Sequence, residues 1–269
     1  MKIPLQKGSG IPLLGLGTWR LAGEECERAI AEAYELGYRH IDTADVYKNH
    51  DAVGRAIRKL PRREIFLATK IGFQDLAPAK IAESIPRYLD ELQVEYIDLL
   101  LIHWPNPELD MADALREMTA SKEKRIVRSI GVSNFVRSHL DALGPRHFPI
   151  ATNQIELHPY LQRRELADCC KKWGIGITAY RPLAKGAFEN DPVLTEIGAK
   201  HGKSASQTAL RWLVQQDIAA IPKASSLKHL RENAEIFDFS LSPKEMERIH
   251  ALDSGKRFCA PDNLPLFSD

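Results

Sequence analysis

Four residues able to move a proton stand at or near the ends of apolar runs. Residues 37–47 read GYRHIDTADVY, in which Asp42 closes a short run and Tyr47 follows five residues on. IFLATK ends on Lys70 and IDLLLIH ends on His103. If these runs are parallel strands, a carboxylate, a phenol, an amine and an imidazole gather on one side of the molecule, as proton transfer requires. A free phenol has a pKa of about 10 and donates reluctantly near neutrality. A neighbouring ammonium stabilises phenolate and lowers that value. Lys70 fits that part, Asp42 would keep Lys70 protonated and oriented, and His103 would hydrogen-bond the reacting oxygen. Singly, each residue has a plain structural explanation: Tyr47 as packing, Asp42 as a loop cap, Lys70 as a surface charge, His103 as a core histidine. The four together favour chemistry.

Competing chemistries fit less well. A metal centre built on Asp42, His103 and Glu156 or His158 would share its cluster with a lysine that repels the ion, and no HExxH pattern is present. Serine hydrolysis lacks a GxSxG elbow. GLG at 15–17 is not a GxGxxG fingerprint, and there is no P-loop.

The elements that must carry these residues alternate. A β-hairpin is expected first, with Ile3–Leu5 and Ile11–Leu13 flanking a Gly-Ser-Gly turn. Strands are then expected to end near Gly17 and at Asp42, and over 65–69, 97–102, 128–133, 151–156, to Tyr180, and over 218–222; the 38–42 strand carries Ile41 inward. Helical spacing separates them, at Cys26, Ala29, Ile30, Ala33 and Leu36, and again near 50–59, 111–123, 136–143 and 163–173. A helix from about Pro78 contains Pro86, which predicts a kink or a late start. Ser204 to Gln207 and Ser242 to Glu245 have the capping-box form and open two later helices. Eight strands alternating with helices imply parallel pairing through right-handed crossovers, and in about 250 residues they suit a closed α/β barrel, a (β/α)8 TIM barrel formed by the whole chain, 1–269, as one domain, with an open doubly wound sheet as the alternative.

The chain's 37 basic and 36 acidic residues give a net charge of +1, with no sign of a nucleic-acid or membrane partner. No leader-like h-region or membrane-length apolar run appears, so a cytoplasmic location is expected. Cys26, Cys169, Cys170 and Cys259 lack CxxC spacing and read as reduced. Nothing asks for a partner subunit, so a monomer is expected.

In a barrel the site forms at the strands' C-terminal ends. Reading those ends gives Trp19, Asp42, Lys70, His103, Ser133, Asn134, Gln154, Tyr180 and Lys223. Ser133, Asn134 and Gln154 can satisfy a carboxamide, and Tyr180 can stack on a flat ring. IPKASSLKHLREN sets Lys223 and two serines beside a helix N-terminus, a natural phosphate site, or else merely a solvated helix start.

GLGTW (15–19), GYRHIDTADVY (37–47), TK (69–70), DLLLIHWP (98–105), IGVSNF (130–135), NQIELHPYLQ (153–162), AYRPL (179–183) and IPKASS (221–226) resemble the aldo-keto reductases along almost the whole chain, most of all the bacterial 2,5-diketogluconate and methylglyoxal reductases. The resemblance implies a (β/α)8 barrel that binds NADPH extended. It also implies a catalytic tetrad of Asp42, Tyr47, Lys70 and His103. Trp19 and Trp104 would wall a pocket for a small-molecule carbonyl substrate. By the same resemblance Thr18, Ser133, Asn134, Gln154 and Tyr180 hold the ribose and nicotinamide, and Lys223, Ser226, His229, Glu232 and Asn233 lie at the adenosine end. Three departures stand out. His50 replaces a usual Glu. His229 stands where many NADPH-dependent members carry arginine, which predicts that NADH is also accepted. The tail after Asp253 is short, predicting an open pocket, with Leu264, Leu266 and Phe267 at its border. The alternatives are a dedicated keto-sugar acid reductase, hinted at by Arg20 and Arg181, and a nucleotide-sensing subunit without catalysis.

Overall fold

The apolar runs become eight short strands whose faces are buried on both sides, as parallel pairing under helices demands. The computed structural model describes residues 3–144 and 148–259. The strands are β1 (Gly15–Gly17), β2 (His40–Asp42), β3 (Phe66–Ile71), β4 (Ile97–Ile102), β5 (Val127–Ser133), β6 (Ile150–Glu156), β7 (Gly176–Tyr180) and β8 (Ala219–Ala220). They pair in chain order, all parallel. A parallel bridge from Leu14 to Ala220, with Gly17 N–H donating to Pro222 O at 3.1 Å, joins the last strand to the first. Gly17 permits that closure, because a Cβ there would lie 2.7 Å from Ile221 O. The expected (β/α)8 barrel is therefore present.

The helices are α1 (Gly23–Glu35), α2 (His50–Ile57), α3 (Pro78–Leu92), α4 (Met111–Glu123), α5 (Arg137–Leu143), α6 (Arg164–Lys172), α7 (Pro192–Lys200), α8 (Ala205–Gln215), α9 (Leu227–Ala234) and α10 (Pro243–His250). Both capping boxes form, at Ser204–Gln207 and Ser242–Glu245. Two apolar layers result. Ile11, Ala68, Leu99, Leu101 and Ala219 fill the barrel itself, and a much larger cluster lies between strands and helices.

Several expectations need correction. The opening segment turns back on itself with a single antiparallel bridge, Leu5 to Pro12, flanked by Gln6 N–H donating to Ile11 O at 2.7 Å and Leu13 N–H to Pro4 O at 2.8 Å, a hairpin too short to count as regular strands. Its job is to plug the barrel's N-terminal end: Ile11 is buried in the inner cluster, and Gln6 Nε2 donates to the carbonyls of Ile177 and Asp217, each at 2.8 Å. Ile41 belongs to the layer under the helices, while His40 and Asp42, one residue to either side, take the opposite face. Pro86 does not delay the start of α3, which runs unbroken from Pro78 to Leu92. It lies on the exposed side, as does Ala82, whose carbonyl loses its helical donor where solvent can replace it, while Ile81, Ile85, Tyr88 and Leu92 hold the other side down. Helix α7 has no counterpart in the expected pattern; Asp191 caps it through the N–H groups of Val193 and Leu194, with Pro192 in its first turn. Leu264, Leu266 and Phe267 lie outside the described residues. No helix among the described residues is long and apolar enough to cross a membrane.

Candidate active site

The C-terminal ends of the strands surround a cavity of about 760 Å³. β2 delivers Asp42, and β3 delivers Lys70. The chain after Asp42 then turns through a short 3-10 segment, Asp45–Tyr47, that Lys48 closes in a left-handed conformation (φ 52°). That turn brings the Tyr47 ring back over the barrel mouth. His103 follows the last residue of β4, its N–H donating to Ile71 O at 3.1 Å.

Asp42 and Lys70 form a wholly buried ion pair, Nζ to Oδ1 2.5 Å. The ammonium also donates to Thr43 O at 2.8 Å and reaches the Tyr47 hydroxyl at 3.5 Å. Asp42 Oδ2 accepts from Gln154 Nε2 at 2.8 Å. The Tyr47 and His103 rings meet edge to face with centroids 5.8 Å apart, and Trp19 leans on the other side of Tyr47 at 4.8 Å. The sequence therefore brings all four proton-moving groups together.

Their electrostatics differ from the simple expectation in one respect. Burial, reinforced by the Asp42 carboxylate, pushes the Tyr47 phenol well above its ordinary range rather than below it. Lys70 is already neutralised by Asp42, so at rest it does little to favour phenolate. Burial lowers the Lys70 pKa and Asp42 opposes that shift. Burial and the nearby lysine charge hold His103 well below its usual range, so its imidazole is neutral.

The cofactor candidates fall into two groups. Ser133, Asn134, Gln154, Tyr180 and Lys223 line the cavity along with Trp19, Trp104, Tyr47 and His103. Tyr180 Oη donates to Asn134 Oδ1 at 2.8 Å, Asn134 Nδ2 donates to His103 O at 3.0 Å, and Ser133 Oγ donates to Gln154 O at 2.8 Å, so this wall is preassembled. Thr18, Ser226, His229, Glu232 and Asn233 are not part of the cavity wall. Thr18 is fully buried and donates to Asp42 O at 2.9 Å. Ser226 caps α9 by accepting from His229 N–H at 3.3 Å. His229 is exposed, Glu232 half-buried and Asn233 buried on the packed side of α9.

Sequence reasoning missed two contributors and misread a third. Asn49 is a buried hub that binds Thr43 Oγ1 (2.6 Å), Thr18 O (3.1 Å) and Leu21 O (2.9 Å), tying the Tyr47 turn to β1. An asparagine two residues beyond Tyr47, of a type whose side chain bonds the backbone of turns, was the available hint. Asp45 borders the cavity and is buried. Glu156 is not a ligand-in-waiting: its carboxylate accepts the N–H groups of Phe258 (2.6 Å) and Cys259 (3.1 Å), which lays the segment after α10 across the mouth. Burial pushes that carboxyl up, but His158 and the two amides outweigh it and hold it below the usual range. Among the described residues no three His, Cys, Asp or Glu side chains converge as a metal site would need.

Fold and site together define a barrel enzyme with its polar machinery at the strands' C-terminal face. The sequence matches the Aldo/keto reductase family over residues 13–254, and the chain belongs to that family of carbonyl oxidoreductases. It is 37% identical over 262 residues to the methylglyoxal reductase DkgB of Escherichia coli O157:H7, covering 94% of this chain and 97% of that protein. A solved structure provisionally named 2,5-diketo-D-gluconic acid reductase B is similar with a TM-score of 0.94 and 38% identity, covering 100% of this chain and 98% of the other. A Bombyx mori aldo-keto reductase solved in complex with NADP is similar with a TM-score of 0.90 and 31% identity, covering 97% and 96%.

Proposed function

We propose that this protein is an NADPH-dependent reductase of small aldehydes and dicarbonyls, with Tyr47 as proton donor, working as a cytoplasmic monomer. The observation that carries this reading is the Tyr47 hydroxyl standing 3.5 Å from a buried, carboxylate-paired Lys70 inside a cavity walled by Trp19 and Trp104.

The donor set suits NADPH. Ser133, Asn134 and Gln154 offer hydroxyl and amide groups along one wall, Tyr180 offers a ring face, and Lys223 stands at the far end beside the start of α9. When bound, the cofactor supplies hydride to the carbonyl carbon. Tyr47, kept neutral by burial and Asp42, holds a proton ready for the carbonyl oxygen throughout the neutral range. As that proton leaves, the Lys70 ammonium stabilises the phenolate left behind. Asp42 and Thr43 O fix that ammonium, so little reorganisation is needed at the moment of reaction. The neutral His103 hydrogen-bonds the substrate oxygen and orients the carbonyl. Thr18 acts by holding Asp42 O, and Ser226, His229, Glu232 and Asn233 mark the path of the adenosine end along α9.

We favour a neutral substrate over a keto-sugar acid because Arg181 already donates to Phe258 O, Lys48 is paired with Asp45, and Trp19, Trp104 and Val46 give the wall an apolar surface, which leaves Arg20 and Lys223 as the cavity cations open to an acid. A sensor without catalysis would have no use for a buried lysine–carboxylate pair, which is costly to desolvate. Methylglyoxal should therefore drive NADPH oxidation with a higher kcat/KM than 2,5-diketogluconate, and the reverse ranking would point to the acid. His229→Arg should raise the preference for NADPH over NADH several-fold; an unchanged ratio would show that Lys223 alone sets it.

A further inference from the structure

We propose that Asp45 and Arg87 are positioning residues that set the Tyr47 hydroxyl against Lys70; this rests on the reductase reading above. Asp45 opens the 3-10 turn that carries Tyr47 two residues on. It is 5% exposed, yet its carboxylate is fully engaged. Arg87 of α3 grips it with both arms, Nη1 to Oδ1 and Nη2 to Oδ2 each 3.1 Å. Tyr88 Oη donates to Oδ2 and Lys48 Nζ to Oδ1, both at 3.2 Å. A two-armed guanidinium fixes direction as well as distance, so the turn is held to the helix rather than merely attracted to it.

The same arginine continues the chain of contacts. Arg87 Nη1 donates to Glu91 Oε1 at 3.0 Å, and Glu91 Oε2 lies 2.8 Å from His50 Nδ1. His50 Nε2 lies 2.8 Å from Thr69 Oγ1, and its ring packs edge to face on Tyr88 with centroids 5.1 Å apart. Thr69 immediately precedes Lys70 in β3. The contacts thus run from the turn bearing the phenol, through α3 and the start of α2, to the strand bearing the amine. His50, which replaces the Glu usual in the family, is a link in that circuit rather than an incidental helix start.

The circuit matters because the contact it spans is fragile. At 3.5 Å the Lys70–Tyr47 contact is at the outer limit of a hydrogen bond, and a small outward drift of the turn would end it. Burial alone would push the Asp45 carboxyl up. Arg87 and Lys48 reverse that and hold it at about 2, so the grip persists across the working pH range.

The test is Arg87→Met, with Arg87→Lys as the conservative variant and Asp45→Asn as the opposite half of the pair. Steady-state rates with NADPH and methylglyoxal, NADPH affinity by fluorescence titration, and thermal unfolding are measured on each. The expected result is a kcat lower by about 10- to 100-fold in Arg87→Met and Asp45→Asn, with NADPH affinity within twofold of the parent and partial recovery in Arg87→Lys. The double variant should lose no more than the worse single one. A crystal structure of Arg87→Met should show the Tyr47–Lys70 separation longer than 3.5 Å. A lowered unfolding temperature with kcat unchanged would mark the network as purely structural and overturn the proposal. A parent protein that fails to oxidise NADPH with any carbonyl would instead overturn the functional reading.

Discussion

Tyr47, the proposed donor, illustrates how a half-buried phenol on a cavity wall differs from a solvated one. Its phenol is pushed upward by its surroundings, so it remains protonated well past neutrality. Reduction should accordingly show no loss of kcat from pH 6 to 9 attributable to donor ionisation; a descending limb near pH 7 that vanishes in Tyr47→Phe would show a depressed phenol instead. Tyr47→Phe should lose about 100- to 10,000-fold in kcat while keeping NADPH affinity, since the ring and its contacts with Trp19 and His103 survive. Fluorescence titration beside stopped-flow turnover separates the two. The four groups were legible as residues because each stands at or near a strand end. Their charge balance was not, because it depends on how much water reaches Tyr47 and on Asp42 neutralising Lys70.

Among the elements, strands announced themselves best. β4 is apolar almost throughout and is buried along its whole length, and α4 runs over the residues its spacing predicts. α3 shows that a proline inside a helical pattern need not delay the helix. Pro86 removes one helical hydrogen bond on a face that water can repair, so the packed face decides. Pro86→Ala should raise unfolding stability by about 1–3 kcal/mol, read from the urea midpoint; a lower midpoint would mean that proline's restriction of the unfolded chain outweighs the lost bond. α7 escaped notice because it is short, nine residues, and its apolar residues do not gather into one clear stripe. The link from Asp45 to Arg87 could not be read at all, since it joins residues 42 apart in sequence whose meeting depends on how α3 settles against β3.

At the scale of the whole barrel, histidines are packed where protons are unwelcome. His40 is fully buried, its ring filling the space that Gly15 leaves by having no Cβ, and burial depresses its pKa from 6.5 to about 4. His50 and His103 are also depressed by burial. Below pH 6.5 the unfolded chain takes up a proton at His40 that the folded one refuses, so stability falls as pH drops from 6.5 to 4. That single site is worth roughly 3 kcal/mol across the window, since one proton taken up by the unfolded chain alone costs about 1.4 kcal/mol for every pH step of one. Urea midpoints at pH 6.5, 5.5 and 4.5 should decline steeply in the parent and less steeply in His40→Leu; identical slopes would mean that His40 stays neutral in both states or is charged in both.

The attachment of residues 258 and 259 to Glu156 is made through main-chain amides, not side chains. Any amino acid except proline presents the same N–H, so the docking tolerates substitution at position 259, which borders the cavity, whereas the Phe258 ring also packs edge to face on His158. Residue 259 is thus a place where the rim of the cavity can be reshaped while its anchor to Glu156 is kept.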